Sequence, residues 1–192
     1  MDSIHYALNH SREMTTIFNP SPLPTPDEIA NFPWQKVDWL LVNEGEALGL
    51  HNAFIHSDTE RSAPDTSETT FIRELISVLS AQPSLSKTNI ICTLGKDGVL
   101  AVIPTFHRPQ SQSSHDTPLA KFIYVPAAEL QGTIRDTTGA GDCFTGYFVE
   151  GLMKLGAHAK VGREILEEDV LRILKICVQV RKQRRSKCSS RG

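Results

Sequence analysis

Trp39-Leu40-Leu41-Val42 offers water no acceptable face. A strand of consecutive large apolar side chains has to be covered on both sides, which is the condition of a strand inside a parallel sheet with helices packed against it. Asn89-Ile90-Ile91-Cys92-Thr93-Leu94 reads as a second such strand, and Phe122-Ile123-Tyr124-Val125 as a short third one. Between them Phe71, Leu75, Ile76 and Leu79 fall at helical spacing. Thr15–Asn19 is β-rich and stops at Pro20, so it predicts a further strand. Residues 3–13 predict a short helix. Residues 20–33 hold five prolines and predict a loop with one helical turn from Asp27. Strands alternating with helices mean an α/β architecture, a three-layer sandwich around a mostly parallel sheet.

The rest of the chain is punctuated by polar stretches. Residues 51–66 and 104–120 predict loops, and a linker is expected near 156–164. Gly95-Lys96-Asp97-Gly98 predicts a tight turn after which Val99–Ile103 returns as a strand. Ile165, Val170, Leu171, Leu174 and Val178 predict a last amphipathic helix. In sheets of this kind ligands sit beyond the carboxyl ends of the strands. Both the Asn43–Glu46 segment and the Thr93–Gly95 turn lie at such ends.

Asp136-Thr137-Thr138-Gly139-Ala140-Gly141-Asp142 carries the chemistry. Small residues between two carboxylates stand directly before a helical pattern of Phe144, Tyr147, Phe148 and Leu152. Such a turn lets free backbone N–H groups and the positive end of the helix dipole converge on an anion. Gly139 and Gly141 permit close approach. A carboxylate at the mouth of that pocket suits a base acting on a hydroxyl beside a phosphoryl group. The plainer alternative is a turn with Asp142 as helix N-cap.

The seven-residue pattern resembles the C-terminal signature of the ribokinase-like (PfkB) carbohydrate and nucleoside kinases. Asn43-x-x-Glu46 resembles the family's N-x-x-E motif, and Thr93-Leu94-Gly95-Lys96-Asp97-Gly98 resembles its T-x-G-x-x-G turn. The resemblance implies ATP-dependent phosphorylation of a sugar hydroxyl, with ribose the favoured acceptor. It implies Asp142 as the general base and Gly139, Ala140 and Gly141 as backbone donors to the transferred phosphoryl group. Asn43, Glu46, Thr93, Gly95 and Gly98 would contact the nucleotide, with Glu46 ordering Mg²⁺. Asp136 and the Thr138 carbonyl would bind a monovalent cation such as K⁺. Local alternatives stay open: Asn43 and Glu46 also read as a capping box, 93–98 as a simple hairpin, and Asp136 as a turn-forming Asp.

Composition excludes other classes. No apolar run approaches a membrane span, and a cytosolic location is the default. Cys92, Cys143, Cys177 and Cys188 form no C-x-x-C pair, and the seven histidines show no ligand spacing. The formal net charge of −2 hides an asymmetry. Residues 181–192 hold six of the 20 basic residues and no acidic one, leaving 14 against 22 acidic residues in 1–180, a net charge near −8. The expected division is therefore a C-terminal part of a kinase domain over 1–180 and a basic, solvated, disordered tail over 181–192. Such a basic run leaves a nuclear location open, while nucleic acid is not an expected partner.

The resemblance covers about Thr15 to Val178 and only the C-terminal part of the family pattern. The family's Gly-Gly turn, its sugar-contacting polar residues and its small β-sheet lid find no counterpart. The expectation is truncation at both ends and an open apolar sheet edge, leading to dimerisation or reliance on a partner fragment. The alternative to a sugar kinase is a catalytically impaired nucleotide-binding module.

Overall fold

A computed structural model describes residues 2–10, 15–55, 68–104, 122–128, 139–158 and 165–187. Its elements run α1 (Asp2–His10), β1 (Ile17–Phe18), α2 (Pro26–Ala30), β2 (Trp39–Asn43), α3 (Glu44–Ile55), α4 (Glu68–Ser80), β3 (Asn89–Thr93), β4 (Val99–Val102), β5 (Phe122–Val125), α5 (Ala140–His158) and α6 (Glu167–Lys187). Single 3₁₀ turns occupy Trp34–Lys36, Pro83–Leu85 and Gly95–Asp97. The five strands form one sheet in the order β1-β2-β3-β4-β5.

β1 pairs parallel with β2, Ile17 opposite Trp39, and β2 parallel with β3, from Trp39 opposite Asn89 to Asn43 opposite Thr93. β3 and β4 are joined by only five residues, too few for a crossover, so that pair is antiparallel and the sheet is mixed. The β1 ladder is short, yet its register is pinned from outside the ladder. Thr16 N–H donates to Asp38 Oδ2 at 2.7 Å, and Asp38 N–H donates to Thr16 Oγ1 at 2.9 Å. A two-residue outer strand is itself a way of blunting a sheet edge.

By contact density the chain divides into two compact units, Met1–Leu94 with Leu100–Phe122, and Gly95–Val99 with Ile123–Gly192. In the first, parallel strands laid down in sequential order put both right-handed crossovers on one face. Leu40, Val42, Ile90, Cys92, Leu100 and Val102 point to that face and share one core with Ala47 and Leu50 of α3 and Ile72, Leu75, Ile76 and Leu79 of α4. Each buried Leu, Ile or Val among them contributes about 1.5–3 kcal/mol over its exposed state. Trp39, Leu41 and Ile91 alternate to the other face and are buried too, which is why the strands read as unbroken apolar runs. Aromatic rings tie the connections to this core: Phe18 stacks on Phe32 at 4.6 Å, Phe32 meets Trp34 at 4.5 Å and Trp34 meets Phe54 at 5.5 Å. Both tryptophans are buried.

In the second unit α5 packs against α6. A Cβ on Gly151 would stand 2.7 Å from Ile173 Cγ2, so the glycine sets how closely the helices approach. Val170, Ile173, Leu174, Cys177 and Val178 line the buried side of α6. Burial pushes the Cys177 thiol up to about 12, which makes it an inert apolar filler.

Several boundaries differ from expectation. β1 is two residues rather than five. α3 runs on to Ile55, where a loop from 51 was expected, because His51 is buried and Phe54 packs on Trp34. α5 continues to His158, through the start of the expected linker. α6 reaches Lys187, so position 180 marks no break in secondary structure. Arg, Lys and Gln are good helix formers and extend the helix past Val178. The polar loop 105–120 and the end of the tail, 188–192, lie outside the described residues.

Candidate active site

Asn43 is the last residue of β2 and Glu46 the third residue of α3. Asn43 Oδ1 accepts from Glu46 N–H at 2.8 Å, and Glu46 Oε2 accepts from Asn43 N–H at 2.9 Å. This is a reciprocal capping box, the plainer of the two sequence readings, and it closes the helix on itself. Glu46 is 9% exposed and its Oε1 stays outside the exchange. Thr93 stands opposite Asn43 in the ladder, and its Oγ1 reaches the Val42 carbonyl at 3.5 Å. The first unit therefore brings Asn43, Glu46 and Thr93 to one end of β2 and β3. Directly beneath, Cys92 is fully buried. Desolvation, then the Glu44 and Glu46 carboxylates, push its thiol far above the ordinary range.

The second unit holds the glycine-rich segments. Gly95 (φ 48°) and Gly98 (φ 111°) bound the 3₁₀ turn that follows β3. A Cβ on Gly98 would overlap the Val125 carbonyl oxygen and lie 2.7 Å from Ala127 N, so only glycine fits there. Tyr124 Oη donates to the Asp97 carbonyl at 2.6 Å. Sequence reasoning missed this contact, because a tyrosine 27 residues from its acceptor leaves no spacing signal.

Gly139 (φ 71°) directly precedes α5, and its carbonyl accepts from Cys143 N–H at 3.0 Å, the first closed bond of the helix. Ala140, Gly141 and Asp142 form the first turn, whose N–H groups have no intrahelical acceptor. Among the described residues nothing comes within 4 Å of where a Gly141 Cβ would be, and Asp142 is exposed. Asp142 Oδ2 stands 4.0 Å from where a Gly139 Cβ would be. Gly139, Ala140, Gly141 and Asp142 are thus together at one helix end, with Asp142 as third helical residue rather than N-cap. Asp136 and Thr138, the expected cation ligands, lie outside the described residues. Among the described residues no group of three or more His, Cys, Asp or Glu is disposed to hold a metal.

The chain was compared with known families and structures. The pfkB family carbohydrate kinase model matches residues 3–167. Ribokinase from Cryptococcus neoformans var. grubii serotype A, in complex with ADP, is 33% identical with a TM-score of 0.69. It aligns over 94% of this chain and 49% of its own. Adenosine kinase from Anopheles gambiae, in complex with P1,P4-di(adenosine-5) tetraphosphate, is 21% identical with a TM-score of 0.55, over 100% of this chain and 48% of its own. A fructokinase double mutant from Vibrio cholerae O395, in fructose-, ADP- and potassium-bound form, is 16% identical with a TM-score of 0.61, over 96% of this chain and 49% of its own. The chain spans about half the length of these solved relatives, and its fold is ribokinase-like.

Proposed function

The chain belongs to the pfkB family of carbohydrate kinases, and on that premise we propose that it carries the phosphoryl-transfer centre of an ATP-dependent sugar kinase. The observation that carries this reading is the open start of α5. An exposed carboxylate, Asp142, stands beside a glycine of positive φ and a first turn whose N–H groups have no intrahelical acceptor. Ribose is the favoured acceptor, giving ribose 5-phosphate, because the relative at 33% identity is a ribokinase.

Asp142 takes the proton of the acceptor hydroxyl as that oxygen attacks the γ-phosphorus. A new O–P bond forms, the bond to the β,γ-bridging oxygen breaks, and ADP leaves with that electron pair. The N–H groups of Gly139, Ala140 and Gly141 hold the charge on the transferred phosphoryl group. By resemblance to the family, Thr93 in the first unit and Gly95 and Gly98 in the second are each assigned to nucleotide contact. Mg²⁺ would neutralise phosphate charge, held mainly by phosphate and water oxygens as its coordination preference requires. Glu46 suits a water-mediated role there, since one of its oxygens is already given to the backbone. Asp136 and the Thr138 carbonyl are assigned to K⁺, by resemblance to the family.

The test is ribose-dependent ADP release with Mg-ATP and K⁺, for the full chain beside Asp142→Ala. Turnover abolished by the substitution supports the kinase reading. A second reading is a nucleotide-binding module without turnover. Mg-ATP binding with no ribose-dependent ADP release would select it.

A further inference from the structure

The turn between β3 and β4 is held from outside itself. Gly95 and Gly98 sit at its ends with positive φ and carry no side chain that could pack. Backbone of that kind is inexpensive to distort, so its shape depends on its surroundings. Those surroundings are the end of β5. Gly98 lies against the Val125–Ala127 backbone, and Tyr124 Oη reaches the Asp97 carbonyl at 2.6 Å. Ile123 and Val125 are 6% and 4% exposed, whereas Tyr124, alternating to the other face of β5, is 40% exposed. Its ring is therefore not a core element, and its hydroxyl contact with the turn is the most specific thing it does.

We infer that Tyr124 is a positioning residue for the nucleotide. It holds the Asp97 carbonyl, and with it the 95–98 turn, in the shape that receives ATP. The inference rests on the proposed reading of that turn as a nucleotide contact. A turn shaped before binding avoids the ordering cost that a loose one would incur on binding. The effect falls on nucleotide affinity and not on the chemical step, because neither Tyr124 nor Asp97 touches reacting atoms. A tyrosine serving only to tie β5 to its neighbour would leave affinity for ATP unchanged.

Tyr124→Phe keeps the ring and the strand and removes one hydroxyl. Calorimetric titration of Mg-ATP into the full wild-type chain and into Tyr124→Phe reads the effect directly. The expected result is a Kd weaker by about three- to tenfold, the size of one lost hydrogen bond. Where turnover is measurable, KM for ATP rises in step, while kcat and KM for the sugar stay at wild-type values. Equal ATP affinity in the two chains, with only the Tm lowered, overturns the inference and leaves the nucleotide reading standing. No ATP binding by the wild-type chain overturns the nucleotide reading, and this inference with it.

Discussion

α3 and α5 begin alike and end up chemically opposite. Each has a carboxylate as third helical residue, Glu46 in one and Asp142 in the other. The difference lies in the residue just before the helix. Asn43 has a side-chain acceptor, takes the Glu46 N–H and receives the Glu46 carboxylate in return. Gly139 has no side chain to offer, so that position supplies no cap to the first turn of α5, and Asp142 stays exposed. Cap chemistry, not the carboxylate, decides whether a helix start is finished structure or a place for an anion.

Substitution at the two carboxylates tests that contrast most sharply. Asp142→Ala is expected to lower ribose-dependent ADP release by about 10²–10⁴-fold, the usual range for a lost general base. Affinity for ATP and Tm should stay near wild type, because an exposed side chain is removed. Equal turnover in the variant would remove Asp142 from the chemistry. Glu46→Ala should do the reverse and act first on stability. It removes the acceptor of the part-buried Asn43 N–H bond, at a cost of about 0.5–1.5 kcal/mol, read by urea unfolding. Glu46→Gln keeps an acceptor oxygen and should restore most of that stability. A large loss of turnover in a stable Glu46→Gln chain would show that the carboxylate also serves the metal.

Gly139→Asn probes the comparison from the other side. Asn tolerates positive φ better than other non-glycine residues and would bring the side-chain acceptor that α3 already has. The expected outcome is a helix start that caps itself, with ATP affinity weakened several-fold and the fold intact by circular dichroism. Undiminished affinity would break the argument that an uncapped terminus matters.

α2 supplies the smallest test. Thr25 and Glu28 form a capping box whose carboxylate is held below its ordinary range, first by the Thr25 backbone N–H at 2.9 Å and then by the Thr25 hydroxyl. A depressed carboxylate gives stability that is complete above its unfolded value of 4.5 and is lost as pH falls through the lower folded value. Glu28→Gln should therefore lower Tm slightly at neutral pH, converge on wild type in acid below the folded value, and so flatten the acid-side decline.

The sequence made some of this legible and hid the rest for identifiable reasons. β2 and β3 were plain because burial on both faces leaves unbroken apolar runs. The starts of α3 and α5 were plain because cap and glycine residues have fixed offsets. Helix ends were not: α3, α5 and α6 all outrun their predicted limits, since nothing in 51–55, 156–158 or 181–187 forbids a helix. Asn43-x-x-Glu46 matched two patterns at once, and only the hydrogen bonds showed that the capping box forms. Tyr124 reaching Asp97 was invisible, because tertiary proximity has no linear signature.

The sequential parallel ladder also governs how the chain acquires its fold. β1 finds β2 across 22 residues and β2 finds β3 across 50, whereas α5 and α6 are neighbours in sequence. Closing those loops costs entropy before any pairing repays it, so the sheet is expected to form late and slowly. Until it does, Trp39-Leu40-Leu41-Val42 is a short β-prone apolar stretch without a charge or a proline to break it. The segment that most firmly defines the native interior is thus the one most prone to intermolecular association on a nascent chain, and slowed synthesis or lowered temperature should raise the recovered folded fraction.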